Sequence, residues 1–154
     1  MEKDQQEKII KSHRYFSSYC FNQAWEIIDK SEKTKEDVET MLHLSHASFW
    51  HWSQVPDHTP TNLSVGYWQL SRVYALAGKG EEALFYGNRC IQIGLDNHLP
   101  PFYIGYGYEG VARAYRVLQN IENAEKNKTI ALEYAEQVEE AEEKKYLQDD
   151  IRSL

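Results

Sequence analysis

Two arginines occupy matching places in two similar stretches of the sequence and are the first candidates for chemistry. The stretches are WQLSRVYALAGKGEEAL, residues 68–84, and EGVARAYRVLQNIENAE, residues 109–125, and they set Arg72 and Arg113 41 residues apart. Guanidinium groups bind carboxylates and phosphates through paired N–H donors. If the stretches stack in register, the two arginines could clamp such an anion. The alternative is that each arginine pairs with a neighbouring acid such as Glu109 and only holds helices together.

A second candidate lies in ETMLHLSHASFWHWSQV, residues 39–55, and the turn just before it. Glu36, Glu39, His43 and His46 follow at steps of three, four and three residues, which places them on one face of a helix. Imidazole and carboxylate groups are ligands of divalent metals. Metal sites in helical proteins, however, draw ligands from several helices. We therefore predict no metal site here, and interpret the histidines as a pair at the partly buried edge of a tryptophan-rich helix.

The segment FYIGYGYEG, residues 102–110, carries three glycines where the pattern predicts a helix. Glycine disfavours helices, so its presence needs a reason. Gly105 and Gly107 permit either close contact between two helices or approach of a ligand to the backbone. In the second case Tyr103 and Tyr106 would form the walls of a pocket.

Composition and charge limit the classes of function. The net charge of -7 argues against nucleic-acid binding, which needs a basic surface. No apolar run reaches the length of a membrane span and the N-terminus lacks a signal-peptide core, so we expect a cytoplasmic protein without membrane association. Cys20 and Cys90 are then expected to be reduced and buried.

The sequence holds no motif of a known catalytic type. It contains neither Gly-x-Ser-x-Gly nor a phosphate-binding glycine loop, and neither cysteine lies in an activating motif. We therefore predict no catalytic residue and no cofactor.

Apolar periodicity predicts the helices that position these residues. Thr34 and Asp37 resemble a capping box, and Pro60 and Pro101 suit first helical positions. The predicted helices span about 5–29, 34–55, 60–77, 81–95 and 101–118, followed by one from 121 that breaks near 138–141 before a short last helix.

A shift of 41 residues also aligns a set of small and aromatic positions. Antiparallel helices approach closely only where side chains are short, which accounts for the small members. This pattern resembles the tetratricopeptide repeat. The matching positions are Tyr67, Leu70, Ser71, Tyr74, Ala83 and Cys90 in the first copy and Tyr108, Val111, Ala112, Tyr115, Ala124 and Ala131 in the second.

Some positions depart from the repeat family. Gly87 and Lys128 stand where the family has an aromatic residue, and the closing proline is missing. The spacing also exceeds the usual repeat length of about 34 residues.

The resemblance implies an all-α fold of antiparallel helical hairpins, stacked as a short tetratricopeptide-like solenoid with a C-terminal capping helix. We expect one domain over 1–154. Its predicted parts are a degenerate N-terminal helix pair (1–57), a first repeat (60–98), a second repeat (101–138) and the capping helix (139–154).

The resemblance further implies that the first helix of each repeat lines a concave groove. Trp68 and Arg72 from one copy, with Tyr106, Glu109 and Arg113 from the next, would lie there. The first functional hypothesis is a non-enzymatic module that binds a protein or peptide, or a second copy of itself, in this groove. The alternative is a small-molecule or anion site, open to an enzymatic role, between the second, third and fifth helices, formed by His43, His46, Trp68, Arg72, Tyr106 and Glu109.

Overall fold

The computed structural model describes residues 2–154, which form seven α-helices and no β-strand. Met1, the first residue of the predicted N-terminal pair, lies outside the described residues. The helices are α1 (Glu2–Ile28), α2 (Lys35–Gln54), α3 (Pro60–Leu76), α4 (Gly80–Asp96), α5 (Pro101–Val117), α6 (Ile121–Glu136) and α7 (Ala141–Arg152). The predicted all-α class is confirmed. The predicted helix ends lie within three residues of the observed ones.

Side-chain caps explain where several helices begin. At α2 the Thr34 hydroxyl accepts a hydrogen bond from the Asp37 backbone N–H, and the Asp37 carboxylate accepts one from the Thr34 N–H, both at 3.0 Å. This confirms the capping box read from the sequence. The predicted break before α7 is also present, and the Glu140 side chain accepts from the N–H groups of Glu142 and Glu143.

The helices form stacked hairpins with one tighter layer. The most extensive contacts join α1 to α2, α3 to α4 and α5 to α6, and the arrangement is consistent with a helical repeat fold. Among the odd-numbered helices, α3 packs on α5 and α5 on α7, whereas within residues 2–154 no comparable packing joins α2 to α4 or α4 to α6. Trp25 of α1 stacks on Trp68 of α3, and we call the layer of α1, α3, α5 and α7 the inner face.

Short side chains lie where the helices approach most closely. Ser71, Ala83, Cys90, Ala112, Ala124 and Ala131 are all at most 2% exposed. The Ser71 hydroxyl donates a hydrogen bond to the Ala83 carbonyl at 2.8 Å, which joins α3 to α4. The interpretation of these positions as packing residues is therefore confirmed.

The glycines of α5 also serve close packing. A Cβ atom on Gly105 would lie 2.7 Å from Leu147 Cδ2, and one on Gly107 would lie 2.8 Å from Ile91 Cγ1 and 3.1 Å from the Ile91 backbone nitrogen. The glycines thus permit close contact between helices, which is the first of the two alternatives for this segment.

No helix in residues 2–154 is both long and apolar enough to cross a membrane.

Gly107→Ala should destabilise the fold although alanine is the better helix former. The gain of about 1 kcal/mol in helix propensity is smaller than the overpacking cost of about 1–3 kcal/mol against backbone that cannot move aside. Chemical denaturation measures the free energy of unfolding. Gly94→Ala is the matched control, because its Cβ would meet mainly the Ile104 side chain, with the nearest backbone atom at 3.8 Å. Equal or greater stability of Gly107→Ala would contradict this account.

Candidate functional site

A fully buried carboxylate, that of Glu109, lies at the centre of the inner face. Its Oε1 accepts hydrogen bonds from Arg113 Nε at 2.9 Å and Nη2 at 2.6 Å, and from Arg72 Nη1 at 3.3 Å. Its Oε2 accepts from Trp68 Nε1 at 2.9 Å. N–H donors from three side chains therefore replace the water that a carboxylate loses on burial. We call Trp68, Arg72, Glu109 and Arg113 the Glu109 cluster.

The internal repeat explains why these groups meet. Trp68 and Glu109 are equivalent positions of the two copies, as are Arg72 and Arg113. Because α3 and α5 pack side by side, equivalent turns of the two helices face each other. Arg113 also lies one helical turn beyond Glu109, at the i,i+4 spacing that suits an ion pair.

Helix α7 is attached to the same cluster. Arg113 Nη2 donates to the Asp150 carbonyl at 3.3 Å and to Ser153 Oγ at 3.1 Å. The Tyr106 hydroxyl donates to Asp150 Oδ2 at 2.6 Å. Hydrogen bonds thus connect α3, α5 and α7 in addition to the apolar core that Leu147 and Ile151 of α7 form against α5.

Burial shifts the acid–base behaviour of the surrounding groups. Burial lowers the pKa of the Arg72 guanidinium, the charge of Arg113 lowers it further, and the carboxylates of Glu109 and Asp150 oppose the shift. Burial, followed by the hydrogen bond to Asp150, raises the pKa of the Tyr106 phenol, so this group remains a donor. Arg72 Nε is buried without a hydrogen-bond partner among residues 2–154.

Both arginines are therefore paired with a carboxylate of the chain itself. Their side chains are each only 18% exposed, and Glu109 is the acid that pairs with both. This is the arrangement of the second alternative from the sequence, in which the arginines hold helices together.

An aromatic pocket lies beside the Glu109 cluster on the inner face. Its volume is about 340 Å³. The indole rings of Trp25 and Trp68 lie nearly parallel with centroids 5.5 Å apart, and Tyr106 meets Trp68 edge-on at 5.2 Å. The full lining comprises Phe21, Trp25, Ser64, Val65, Trp68, Cys90, Phe102, Tyr103, Tyr106, Tyr146 and Asp150.

The sequence pointed to Trp68, Tyr103 and Tyr106 of this lining but missed Trp25 and Asp150. Trp25 lies in the first helix pair, which the 41-residue alignment does not reach. Asp150 is one of many acids in the last quarter of the chain, and no local pattern distinguishes it from its neighbours. Its role depends on Tyr106, 44 residues earlier.

His43 and His46 lie in a different part of the molecule. His46 Nε2 is 2.8 Å from the Tyr74 hydroxyl, and its ring contacts Tyr86 edge-on. His43 is exposed, with Nε2 3.7 Å from Glu39 Oε1. Helix α2 packs on α1 and α3, whereas the Glu109 cluster joins α3 to α5. The predicted site residues therefore divide into two separate groups.

The two cysteine thiols are the remaining candidates for chemistry, and both are buried. Burial raises the pKa of the Cys90 thiol to about 12, and this thiol donates to the Ser64 carbonyl at 3.4 Å. Burial also raises the pKa of the Cys20 thiol. Within residues 2–154, no three or more His, Cys, Asp or Glu side chains are grouped to hold a metal ion.

Comparison of the chain with protein-family models, with curated proteins and with solved structures gives no significant match. The site is therefore described by its own geometry: a buried carboxylate held by two arginines and a tryptophan, next to an aromatic pocket bordered by one further carboxylate.

Glu109→Gln should strongly destabilise the protein. It leaves Arg72 and Arg113 buried without their counter-charge, and breaking a buried ion pair in this way costs about 3–5 kcal/mol. Chemical denaturation followed by circular dichroism measures the loss. Glu125→Gln is the control, because its bridge to Arg116 is largely exposed and should contribute about 0–1 kcal/mol. A loss no larger than that of the control would show that the cluster does not hold the inner face.

The histidines should make stability fall in mild acid. Burial lowers the pKa of His46 and His51 below the ordinary 6.5. Below about pH 6.5 the unfolded chain therefore binds protons that the folded chain resists, so this stability is present above that pH and lost below it. We expect a lower Tm at about pH 5.5 than at about pH 7.5, and a smaller decrease in a His46→Gln, His51→Gln double variant. His98→Asn, a change at an exposed histidine, is the control, and its Tm should decrease in acid as much as that of the wild type. An equal decrease in the double variant would contradict the assignment.

Proposed function

We propose that the protein is a non-enzymatic interaction module of tetratricopeptide-like hairpins that binds a segment of a partner protein on its inner face. The observation that carries this proposal is the aromatic pocket beside the Glu109 cluster. Tryptophan and tyrosine contribute most strongly to protein interfaces, because they offer a large apolar area with a polar edge.

The shape and accessibility of the pocket support this role. Its lining residues come from α1, α3, α4, α5 and α7, so a bound segment would contact several repeats at once. Tyr146 stands at the pocket with 59% of its surface exposed, which gives an incoming chain an aromatic contact. The pocket is large enough for a bulky side chain.

The chemistry of the buried groups supports a binding role over a catalytic one. The Glu109 carboxylate is surrounded by N–H donors that belong to the fold. The Tyr106 proton is engaged by Asp150, and the pKa of Cys90 is raised to about 12, well above the range of an activated thiol.

Small-molecule binding is the second candidate function. The pocket volume of about 340 Å³ falls at the lower end of the range of about 300–1,000 Å³ that is typical of ligand sites. Its residues differ from those of the sequence hypothesis, because His43 and His46 do not take part.

Selection from a peptide display library tests the proposed function. The wild-type protein should enrich related peptides, and Tyr146→Lys should abolish their binding by placing a charged chain at the pocket. Phe85→Lys is the matched control, since Phe85 is also 59% exposed but lies on α4, outside the inner face. Binding measured by fluorescence polarisation should be retained in the control.

Two outcomes would reject the proposal. One is the enrichment of no peptide family by the wild-type protein. The other is equal loss of binding in the Tyr146 and Phe85 variants, which would mean that the contact surface is not the inner face.

A further inference from the structure

We propose that the aromatic pocket is a site for an organic cation, that is, an ammonium or guanidinium group carried on an apolar body. This inference rests on the proposed function, because both take the same pocket on the inner face as the binding surface. It adds the chemical class of the group that the pocket takes.

The walls of the pocket have the composition of a cation cage. Seven of its eleven lining residues are aromatic: Phe21, Trp25, Trp68, Phe102, Tyr103, Tyr106 and Tyr146. The face of an aromatic ring carries negative electrostatic potential, so several rings around one cavity attract a positive group. Tryptophan is the strongest partner of this kind, and two tryptophans line this pocket.

The only ionisable carboxylate of the lining adds a directed negative charge. Asp150 Oδ2 accepts from the Tyr106 hydroxyl at 2.6 Å, which fixes the orientation of the carboxylate. Among residues 2–154, Asp150 Oδ1 accepts no hydrogen bond. Asp150 is only partly buried, so a ligand can reach it.

No basic side chain of the lining competes for this carboxylate. The lining contains no lysine, arginine or histidine. The two nearby guanidinium groups, those of Arg72 and Arg113, bond to Glu109, and Arg113 reaches only the backbone carbonyl of Asp150. The two guanidinium charges thus face two carboxylates, those of Glu109 and Asp150, and Asp150 is the one that lines the pocket.

The same geometry disfavours other ligands. An anion would face the Asp150 carboxylate, the one ionisable acid of the lining. A neutral apolar ligand would cover the carboxylate without supplying a donor, and burial of an unpaired polar group is costly. An organic cation can contact the aromatic rings and the carboxylate together. The net charge of -7 also attracts a cation from solution.

Titration with a pair of ligands of the same shape tests the cation requirement. Choline carries a quaternary ammonium, and 3,3-dimethyl-1-butanol replaces its nitrogen with carbon. We expect saturable binding of choline by isothermal titration calorimetry, with a change in the fluorescence of the tryptophans at the pocket. The neutral alcohol should bind at least about tenfold more weakly.

Variants test whether choline binds in the pocket and not elsewhere on the protein. Asp150→Asn keeps an acceptor for Tyr106 and should weaken choline binding about tenfold. Asp149→Asn is the matched control on the same helix, since Asp149 pairs with Lys145 and Arg152 and should be without effect. Trp25→Leu removes the ring that stacks on Trp68 but none of the hydrogen bonds of the Glu109 cluster. It should also reduce binding, and circular dichroism verifies the fold of each variant.

The source of the cation is resolved by a second ligand series. Short peptides containing arginine, lysine or trimethyllysine are compared with the same peptides containing glutamine or norleucine. Tighter binding of a cationic peptide than of choline identifies a protein side chain as the source, and the reverse order identifies a free organic cation.

The inference is overturned if choline and its neutral isostere bind equally. It is likewise overturned if no cation binds at millimolar concentration, or if Asp150→Asn and Asp149→Asn behave alike. These failures leave the proposed function standing when the display library still yields peptides that need Tyr146 but lack a basic residue. Failure of the display experiment together with selective choline binding would instead leave a small-molecule site.

Discussion

The burial of one carboxylate constrains the rest of the inner face. Glu109 is 0% exposed, and a carboxylate without water must find donors from the protein. Trp68 and Arg72 supply them from α3, and Arg113 supplies them from its own helix. The neighbouring helices are consequently held in one register, because a slide along either axis would leave a charge unpaired in the interior. Arg113 extends the same constraint to α7 through the Asp150 carbonyl.

This arrangement divides the inner face into a structural part and an accessible part. The guanidinium groups, which would otherwise make the groove a site for anions, are paired with Glu109, and the Asp150 carboxylate adds a second negative charge beside them. The rings beside them and the Asp150 carboxylate remain in contact with the pocket. The binding chemistry that the face offers is therefore aromatic and acidic, although two arginines lie within it.

Much of the fold follows from local features of the sequence. The capping box at Thr34, the prolines that begin α3 and α5, and the small residues between paired helices were all predicted and are all present. The Glu109 cluster was predicted in its membership, because the internal repeat brings Arg72 and Arg113 into register. The sequence did not decide whether the two arginines bind an external anion or pair with Glu109. That choice depends on how deeply each side chain is buried, which is not a local property.

The sequence by itself determined the helices, their ends and their pairing into hairpins, because periodicity, caps and side-chain size act within a few turns of the chain. Only the tertiary structure decided that His46 bonds to Tyr74, away from Glu109, and that Trp25 and Asp150 border the same pocket. These contacts join helices that are distant along the chain. The angles and spacings of such helices result from the packing of all the side chains between them, and no local pattern encodes them.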